Sequence, residues 1–337
     1  MYDAIHAQPG EFARVVRTLA VGECAARLLE SKRIFLVGIG TSYHACQFGR
    51  FLLRASAPDL EVSAVHSFDF VEFGPALGAK DCVVVISHRG SKLYSARALE
   101  RAREAGCATI SITGRNAKAP VADIVLETVP QEASSAHTIS YMGAIAALSA
   151  IARELGGLDA RFVDEEIPEL LRKSLGAESA AAEFAEEHAR HRRIWLVGAG
   201  PLEFVAREAA LKIKETSYLQ AEGMGIEELL HGPFQCTEAE DLFVLIAPQG
   251  NGRERVLTVA GLAKEIGASV LVVSDMPMPE YADVLTAQAA PPPFQSLTCL
   301  IPLQFFAYYL ALKRGTNPDG FRLDDPRFAK ASQLVTL

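Results

Sequence analysis

Short apolar runs recur along the chain, separated by longer stretches in which apolar residues return every three or four positions. The runs at 34–37, 82–86 and 109–112 are rich in β-branched residues and lack the polar alternation of a half-exposed strand. Such runs are typical of strands buried on both faces, which occur in parallel sheets covered by helices. Segments such as 95–105 have helical spacing. The pattern predicts doubly wound α/β domains with parallel sheets.

Three strand-and-turn segments occur twice, in the same order. The sequence RIFLVGIG from Arg33 returns as RIWLVGAG from Arg193, and DCVVVISHRG from Asp81 returns as DLFVLIAPQG from Asp241, both 160 residues later. A third pair, EAGCATISIT and KEIGASVLVVSD, follows at almost the same spacing. A register kept over three segments indicates a tandem duplication, so we expect two α/β domains of the same topology.

The polar segment GGLDARFVDEEIPE, with its glycine pair and proline, is a natural join between the two copies. We therefore expect five parts along the chain. They are an N-terminal extension at 1–11, a first domain at 12–156, a linker at 157–169, a second domain at 170–310 and a C-terminal tail at 311–337.

Composition narrows the classes of partner. With 33 Lys and Arg against 41 Asp and Glu, the net charge is -8, and no segment carries a basic run. This argues against non-specific binding to nucleic acid or to an anionic membrane, while small anionic ligands remain compatible with a local pocket. The apolar stretch at 294–312 contains two glutamines and a proline, which favours a buried core helix over a membrane span.

The six cysteines stand singly, without metal-ligand spacing, so neither a disulfide framework nor a zinc site is predicted. The opening MYDAIHAQPGEF has no basic start and no apolar core, unlike a signal peptide, and we expect a cytoplasmic protein. No cofactor is indicated, because the acidic residue that a dinucleotide ribose would require is missing after the second strand.

Two loops that follow buried strands of the first copy carry glycines, hydroxyls and positive charge. In a parallel sheet both loops reach the carboxyl edge, where backbone N–H groups and helix starts bind anions. The pair predicts a phosphate site, although 38–42 alone could be an ordinary strand-to-helix turn. The predicted phosphate-binding residues are Gly40, Thr41, Ser42, Ser87, His88, Arg89, Gly90, Ser91 and Lys92.

The equivalent loops of the second copy, GAGPL and APQG, contain no hydroxyl. The second copy instead has Glu208, Lys212 and Glu215 at i, i+4 and i+7 of a helix, hence on one face. His231 follows before Gly-Pro, a restricted backbone suited to aiming a proton-transfer group. These residues form either a solvent-exposed salt-bridged stripe or a catalytic set.

The segment EAALKIKETSYLQAEGMGIEELLHGP resembles the isomerase-domain signature ALEGALKLKE…HGP of the double sugar-isomerase (SIS) domain family, as found in glucosamine-6-phosphate synthase. Further similarities run along nearly the whole chain, including GIGTSYHA, LIPLQFFAYYLALKRGTNPD and DDPRFAK. The resemblance implies two tandem SIS domains. The synthase's glutaminase domain has no counterpart here, so we do not expect this chain to make ammonia from glutamine.

The resemblance also assigns roles. Glu215 matches the acid/base that moves a proton between C1 and C2 of a hexose phosphate, and Lys212 matches its partner lysine. His231 matches a ring-opening histidine contributed across a dimer interface, which implies a homodimer. Lys330 matches a C-terminal lysine that reaches the substrate carbonyl.

Two departures from the family lie beside the predicted phosphate site. The family's SQSGET is SHRGSK here, which makes the loop bulkier and more basic. The family's EIGVASTKAFT is matched by EASSAHTISYM, which places Ser135 and His137 at the sugar phosphate, with a histidine in place of a serine and Ile139 in place of a lysine.

Together these observations predict an aldose/ketose isomerase, or an amino-sugar-phosphate isomerase/deaminase, acting on a hexose 6-phosphate or its 2-amino form. A deglycase of a sugar-phosphate amine adduct differs only in the group attached at C1. The alternative from another class is a non-catalytic sugar-phosphate sensor. A sensor has no need for Glu215, Lys212, His231 and Lys330 together, which favours the enzyme.

Overall fold

The structure, a computed structural model, describes residues 1–118 and 121–336. It divides into two compact units. The first unit consists of Ala7–Ala133, His137–Pro168 and Arg322–Leu337, and the second unit of Met1–His6, Ser134–Ala136 and Glu169–Phe321.

The first unit is built on a five-stranded parallel sheet. Its strands are β1 (Arg33–Gly38), β2 (Glu61–His66), β3 (Asp81–Ile86), β4 (Ala108–Thr113) and β5 (Ile124–Glu127). The order is β2-β1-β3-β4-β5, and every pair is parallel. All six residues of β3 are buried, as expected for a central strand covered on both faces. The three predicted strands of this copy are confirmed.

Two helices of this part of the chain precede the first strand, and the others connect the strands or follow them. They are α1 (Tyr2–Thr18), α2 (Gly22–Glu30), α3 (Thr41–Ser56), α4 (Ser67–Phe73), α5 (Leu93–Glu104) and α6 (Ile139–Glu154). The helix predicted at 95–105 corresponds to α5. A π-helix at Phe162–Glu166 leads into α7 (Ile167–Ser174).

The second unit repeats this topology. Its strands are β6 (Arg193–Gly198), β7 (Gln220–Gly225), β8 (Leu242–Ile246), β9 (Ser269–Ser274) and β10 (Asp283–Thr286). The order β7-β6-β8-β9-β10 is that of the first sheet, and all pairs are again parallel. The remaining helices are α8 (Glu178–Glu187), α9 (Pro201–Ser217), α10 (Ile226–Leu230), α11 (Arg253–Ile266), α12 (Gln295–Lys313) and, in the first unit, α13 (Pro326–Ser332); 3-10 turns lie at Leu175–Ala177 and Pro233–Cys236.

Local geometry confirms the duplication. Gly40 and Gly200, each before the first helix after the leading strand, have nearly the same backbone angles, φ 56° and ψ -130° against φ 55° and ψ -124°. In each unit an arginine at the start of the leading strand, β1 or β6, also pairs with a buried aspartate near the start of the neighbouring strand, β3 or β8. The pairs are Arg33–Asp81 and Arg193–Asp241. The expected fold class, two tandem doubly wound parallel α/β domains, is confirmed.

The unit boundaries differ from the expected domain boundaries. Of residues 1–11, expected as an extension, all but Met1 belong to α1, and the division between the units falls within that helix after His6. The expected linker 157–169 is helical from residue 160 onwards, and almost all of it belongs to the first unit; its apolar residues Val163 and Ile167 are buried. The expected tail divides after Phe321, so α13 belongs to the first unit.

Helix α12 is the core helix of the second unit. By length and composition alone it could cross a membrane, but 83% of its most apolar window is buried in the fold. It packs against α8 and α9 of the same unit. The prediction of a buried core helix at 294–312 is confirmed.

Candidate functional site

A pocket lies at the carboxyl edge of the first sheet, between the ends of β1 and β3. The connection after β1 leads to β2 on one side of this point, and the connection after β3 leads to β4 on the other side; such a point is the usual ligand position in open parallel sheets. Two glycines shape the loop after β1. A Cβ at Gly38 would lie 2.7 Å from the backbone of Ser42, and Gly40 has a positive φ of 56°. The chain therefore turns directly from the strand into α3.

The pocket is narrow, with a cavity volume of about 10 Å³, which is about the space for one water molecule. Its lining belongs entirely to the first unit and contains neither lysine nor arginine. The first turn of α3 contributes two hydroxyls, where the helix dipole favours an anion. The lining residues are Thr41, Ser42, Ala45, Ile86, His88, Ile112, Thr113, Thr128, His137, Ser140, Tyr141 and Ala144.

Four predicted phosphate-binding residues, Thr41, Ser42, His88 and His137, thus line one pocket. Ser87 is buried beside it, and its hydroxyl has no hydrogen-bond partner among the described residues. The hydroxyl of Thr113, a lining residue, is likewise buried without a partner in the described chain. Buried hydroxyls normally find a partner, so both groups are suited to a polar ligand.

The rest of the loop after β3 lies outside the pocket lining. Gly90 has φ 68°, and a Cβ there would lie 2.4 Å from the carbonyl oxygen of Lys118, so only glycine fits this turn. Arg89 and Ser91 are exposed, while Lys92 is half-buried before α5. Burial, and then the nearby Arg89, lower the pKa of Lys92. Arg89 and Lys92 therefore add positive charge in the loop after β3 but do not line the pocket.

His88 is fixed by contacts with Glu132 and Gly114. Its Nε2 accepts a hydrogen bond from the backbone N–H of Glu132 at 3.0 Å, and its carbonyl oxygen accepts from the N–H of Gly114 at 2.9 Å. A Cβ at Gly114 would lie 2.4 Å from the ring, so the glycine makes room for it. Burial, followed by the charge of Arg89, lowers the pKa of His88 to about 4. The ring is therefore neutral near pH 7.

The buried carboxylate of Glu132 was not among the predicted site residues. Its oxygens accept from the N–H and hydroxyl of Thr138, at 2.9 to 3.0 Å, and from the N–H and hydroxyl of Ser140, at 3.1 and 2.8 Å. These donors form the N-terminus of α6, where a carboxylate is favoured by the helix dipole. The only sign of this role in the sequence is a glutamate six residues before a helix that begins with Thr-x-Ser. That pattern is not specific, because many helix N-termini are capped by nearby polar residues.

Ser135 is placed apart from these residues. It belongs to the second unit, where its N–H donates to the carbonyl oxygen of Asp319 at 3.0 Å. Thr113, Thr128 and Tyr141 line the pocket but were not predicted. Thr113 ends β4, so its position at the carboxyl edge was a signal available in the sequence.

The second unit contains the Glu208, Lys212 and Glu215 face of α9. Lys212 Nζ lies 2.6 Å from Glu215 Oε2 and 3.6 Å from Glu208 Oε1. The side chains of Lys212 and Glu208 are 0% exposed, and that of Glu215 is 20% exposed. A solvent-exposed stripe is therefore excluded for two of the three. The arrangement is a salt bridge in which the lysine is fully buried and the Glu215 side chain is partly exposed.

The other two predicted catalytic residues lie elsewhere. His231 follows α10 in the second unit with a side chain that is 78% exposed, and its Nε2 lies 3.4 Å from Glu227 Oε2 of the same helix. Lys330 lies exposed on α13, in the first unit. The structure thus brings together Lys212 and Glu215, and places His231 on an accessible loop.

One group of possible metal ligands occurs among residues 1–118 and 121–336. Glu187, His188 and Asp283 offer ligand atoms within 4.8 Å of one another. His188 Nε2 already pairs with Asp283 Oδ2 at 3.0 Å, and Glu187 is exposed. This group is accounted for by the hydrogen bond between His188 and Asp283 in the second unit. It contains none of the predicted site residues.

The fold and the two groups of residues define a class: a tandem α/β protein with a pocket lined by hydroxyls and imidazoles in one unit, and a buried lysine paired with carboxylates on a helix of the other. The chain belongs to the SIS domain family, whose domain it matches at residues 27–152 and 188–314.

Relatives and solved structures agree with this assignment. The chain is 30% identical over 306 residues to the isomerizing glutamine–fructose-6-phosphate aminotransferase of Pyrococcus horikoshii, over 88% of this chain and 51% of the relative. It therefore spans about half the length of the curated relatives it matches.

Two solved structures share the fold at 20% identity. The C-terminal domain of glucosamine-fructose-6-phosphate aminotransferase from Francisella tularensis has a TM-score of 0.84, covering 95% of this chain and 97% of that one. Tagatose-6-phosphate ketose/aldose isomerase from Escherichia coli has a TM-score of 0.80, covering 94% and 93%. At this identity the likeness shows the fold alone.

Proposed function

We propose that the chain is a phosphosugar isomerase or amino-sugar-phosphate isomerase/deaminase that transfers a proton between C1 and C2 of a hexose (amino) 6-phosphate. The main support for this proposal is the salt bridge on α9, in which Nζ of the fully buried Lys212 lies 2.6 Å from Oε2 of the partly exposed Glu215. Membership in the SIS domain family, and the sugar-phosphate names of its relatives, support the substrate class.

The proposed proton transfer starts from the open-chain aldose. Glu215 takes the proton from C2, the electron pair of that C–H bond forms the C1–C2 double bond, and the carbonyl pair moves to O1. Glu215 then returns its proton to C1, while O2 becomes the ketone and its proton ends on O1. In the 2-amino sugar the nitrogen takes the place of O2, giving an imine that water hydrolyses to the ketose and ammonia.

Each side chain has a distinct part in this proposal. Lys212 has no exposed surface, so it acts by keeping Glu215 ionised and in place. His231, which is 78% exposed, is available to complete the site of a second copy in a homodimer and to open the sugar ring. Lys330 acts on the carbonyl. The first-unit pocket binds the phosphate through Thr41, Ser42 and the hydroxyl of Ser87.

Product analysis tests the proposal. The purified chain is incubated with glucose, fructose, mannose and tagatose 6-phosphates and with glucosamine 6-phosphate, and ketose, aldose and ammonia are measured. We expect turnover of at least one member and a loss of about 10²–10⁴-fold in Glu215→Gln. Glu265→Gln, the same change at an exposed position of α11 in the same unit, is the control and keeps full activity.

The alternatives give different results. Turnover of a fructosamine 6-phosphate adduct, with none for the simple sugars, would identify a deglycase. Binding of a panel member without turnover, in both the native chain and Glu265→Gln, would favour the sensor and contradict the enzyme.

A further inference from the structure

A chain of hydrogen bonds joins the phosphate pocket of the first unit to the start of α6. The carboxylate of Glu132 accepts from Thr138 and Ser140, and the backbone N–H of the same Glu132 donates to His88 Nε2 at 3.0 Å. The side chain thereby anchors the backbone that contacts the histidine. Both His88 and Ser140 line the pocket, so the anchor lies directly behind its wall.

The direction of one hydrogen bond determines which tautomer the His88 ring adopts. A backbone N–H can only donate, so Nε2 must be the unprotonated nitrogen of the ring, and the proton lies on Nδ1. Protonation of Nε2 would break this bond. The titratable groups around the ring are Glu132, Arg89 and His137, whose ring centroid lies 5.4 Å away at 80°. Nδ1–H is then the only N–H donor of the ring.

We propose that Glu132 is a positioning residue that fixes His88 as its Nδ1–H form, so that the pocket recognises an anionic phosphate oxygen with a neutral histidine donor. The lining agrees with this, since it contains hydroxyls and imidazoles but neither lysine nor arginine. Such a pocket stabilises the anion with oriented dipoles rather than with a counter-charge. The inference rests on the proposed function only for the identity of the ligand as a phosphate ester.

The first experiment uses the ligand-free chain. In the ¹⁵N-labelled protein the two ring nitrogens of His88 are assigned by comparison with His88→Gln. We expect a protonated Nδ1 and an unprotonated Nε2 throughout pH 6–8. A proton on Nε2, alone or together with Nδ1, would overturn the inference.

Titration with inorganic phosphate tests the donor. We expect the Nδ1 resonance to move on binding and the Kd to rise roughly tenfold or more in His88→Ala, as for loss of a hydrogen bond to a charged group. His88→Asn, whose amide nitrogen replaces Nδ1, recovers part of this loss. An unchanged Kd in His88→Ala contradicts the proposal.

Glu132→Gln tests the positioning role. The amide turns an N–H₂ group toward the donors of Thr138 and Ser140, so we expect a mixture of His88 tautomers and a phosphate Kd raised about tenfold. Thr138→Val, which removes only a hydroxyl, shows a smaller change in the same direction should the first variant fail to fold. Glu104→Gln, exposed on α5, is the control.

A purely structural role would lower Tm in Glu132→Gln while leaving the His88 tautomer and the phosphate Kd unchanged, and that result would overturn the assignment. Absence of turnover with sugar phosphates would count against the proposed function alone, because these readouts use the ligand-free chain and inorganic phosphate.

Discussion

Replacing Lys212 with methionine removes a buried positive charge that contacts two carboxylates on α9. Lys212 Nζ lies 2.6 Å from Glu215 and 3.6 Å from Glu208, and the side chains of Lys212 and Glu208 have no exposed surface. At an effective dielectric constant of about 20, the two attractions amount to about 6 and about 5 kcal/mol. The cost of burying the charges offsets much of this. We therefore expect Lys212→Met to lower the free energy of unfolding by about 3–5 kcal/mol.

The chain contains a single tryptophan, Trp195 on β6, which lies in the same unit as α9 and is buried. Its fluorescence in a urea titration therefore follows the unfolding of the second unit. The double variant Glu208→Gln/Lys212→Met removes the stranded buried carboxylate as well, so it should recover at least about half of the loss. Stability within about 1 kcal/mol of the native chain in Lys212→Met, or additive effects in the double variant, would refute this reasoning.

Three further predictions concern Asp81, Gly90 and His231. The hydrogen bond from Arg33 holds the pKa of Asp81 below its ordinary value. The carboxylate therefore stabilises the fold above about pH 4, and this stabilisation is lost as the pH falls through the lowered pKa of the folded state. In urea unfolding at pH 7, Asp81→Asn should be less stable than the native chain by about 1–3 kcal/mol, and the difference should vanish in acid. In Gly90→Ala the positive φ costs about 1–2 kcal/mol, and the new Cβ lies 2.4 Å from a carbonyl oxygen. The loop must shift, so the affinity for phosphate, measured by calorimetry, should fall. An unchanged Kd would show that the turn does not shape the pocket. His231→Ala, at an exposed position, should leave Tm within a degree or two while turnover falls about 10²–10⁴-fold, and equal losses of both would contradict a role in proton transfer.

The fold could be predicted from the sequence because its signals are local and repeated. Strands buried on both faces read as unbroken apolar runs, and the duplication doubled each signal, as the matching angles of Gly40 and Gly200 show. The Glu208, Lys212 and Glu215 face follows from helical spacing alone. Its burial does not, because that depends on how α9 packs against α12 and the sheet.

What the sequence could not provide depends on contacts between distant segments. The role of Glu132 requires His88, which lies 44 residues earlier and reaches it only when β3 and the start of α6 share one edge of the sheet. The two units divide the chain differently from the expected boundaries, because the polar, glycine-containing segment at 157–169 carries buried residues such as Val163. Polarity averaged along a segment does not show which side chains face the core.

The most direct test of the central claim is proton NMR in D₂O with hexose 6-phosphates and their 2-amino forms. If Glu215 transfers a proton between C1 and C2, the native chain should replace the C1 or C2 hydrogen of its substrate with deuterium. Glu215→Gln should lose this exchange while Glu265→Gln keeps it. Equal exchange in Glu215→Gln would remove Glu215 from the chemistry, and binding without exchange in the native chain would contradict the enzyme itself.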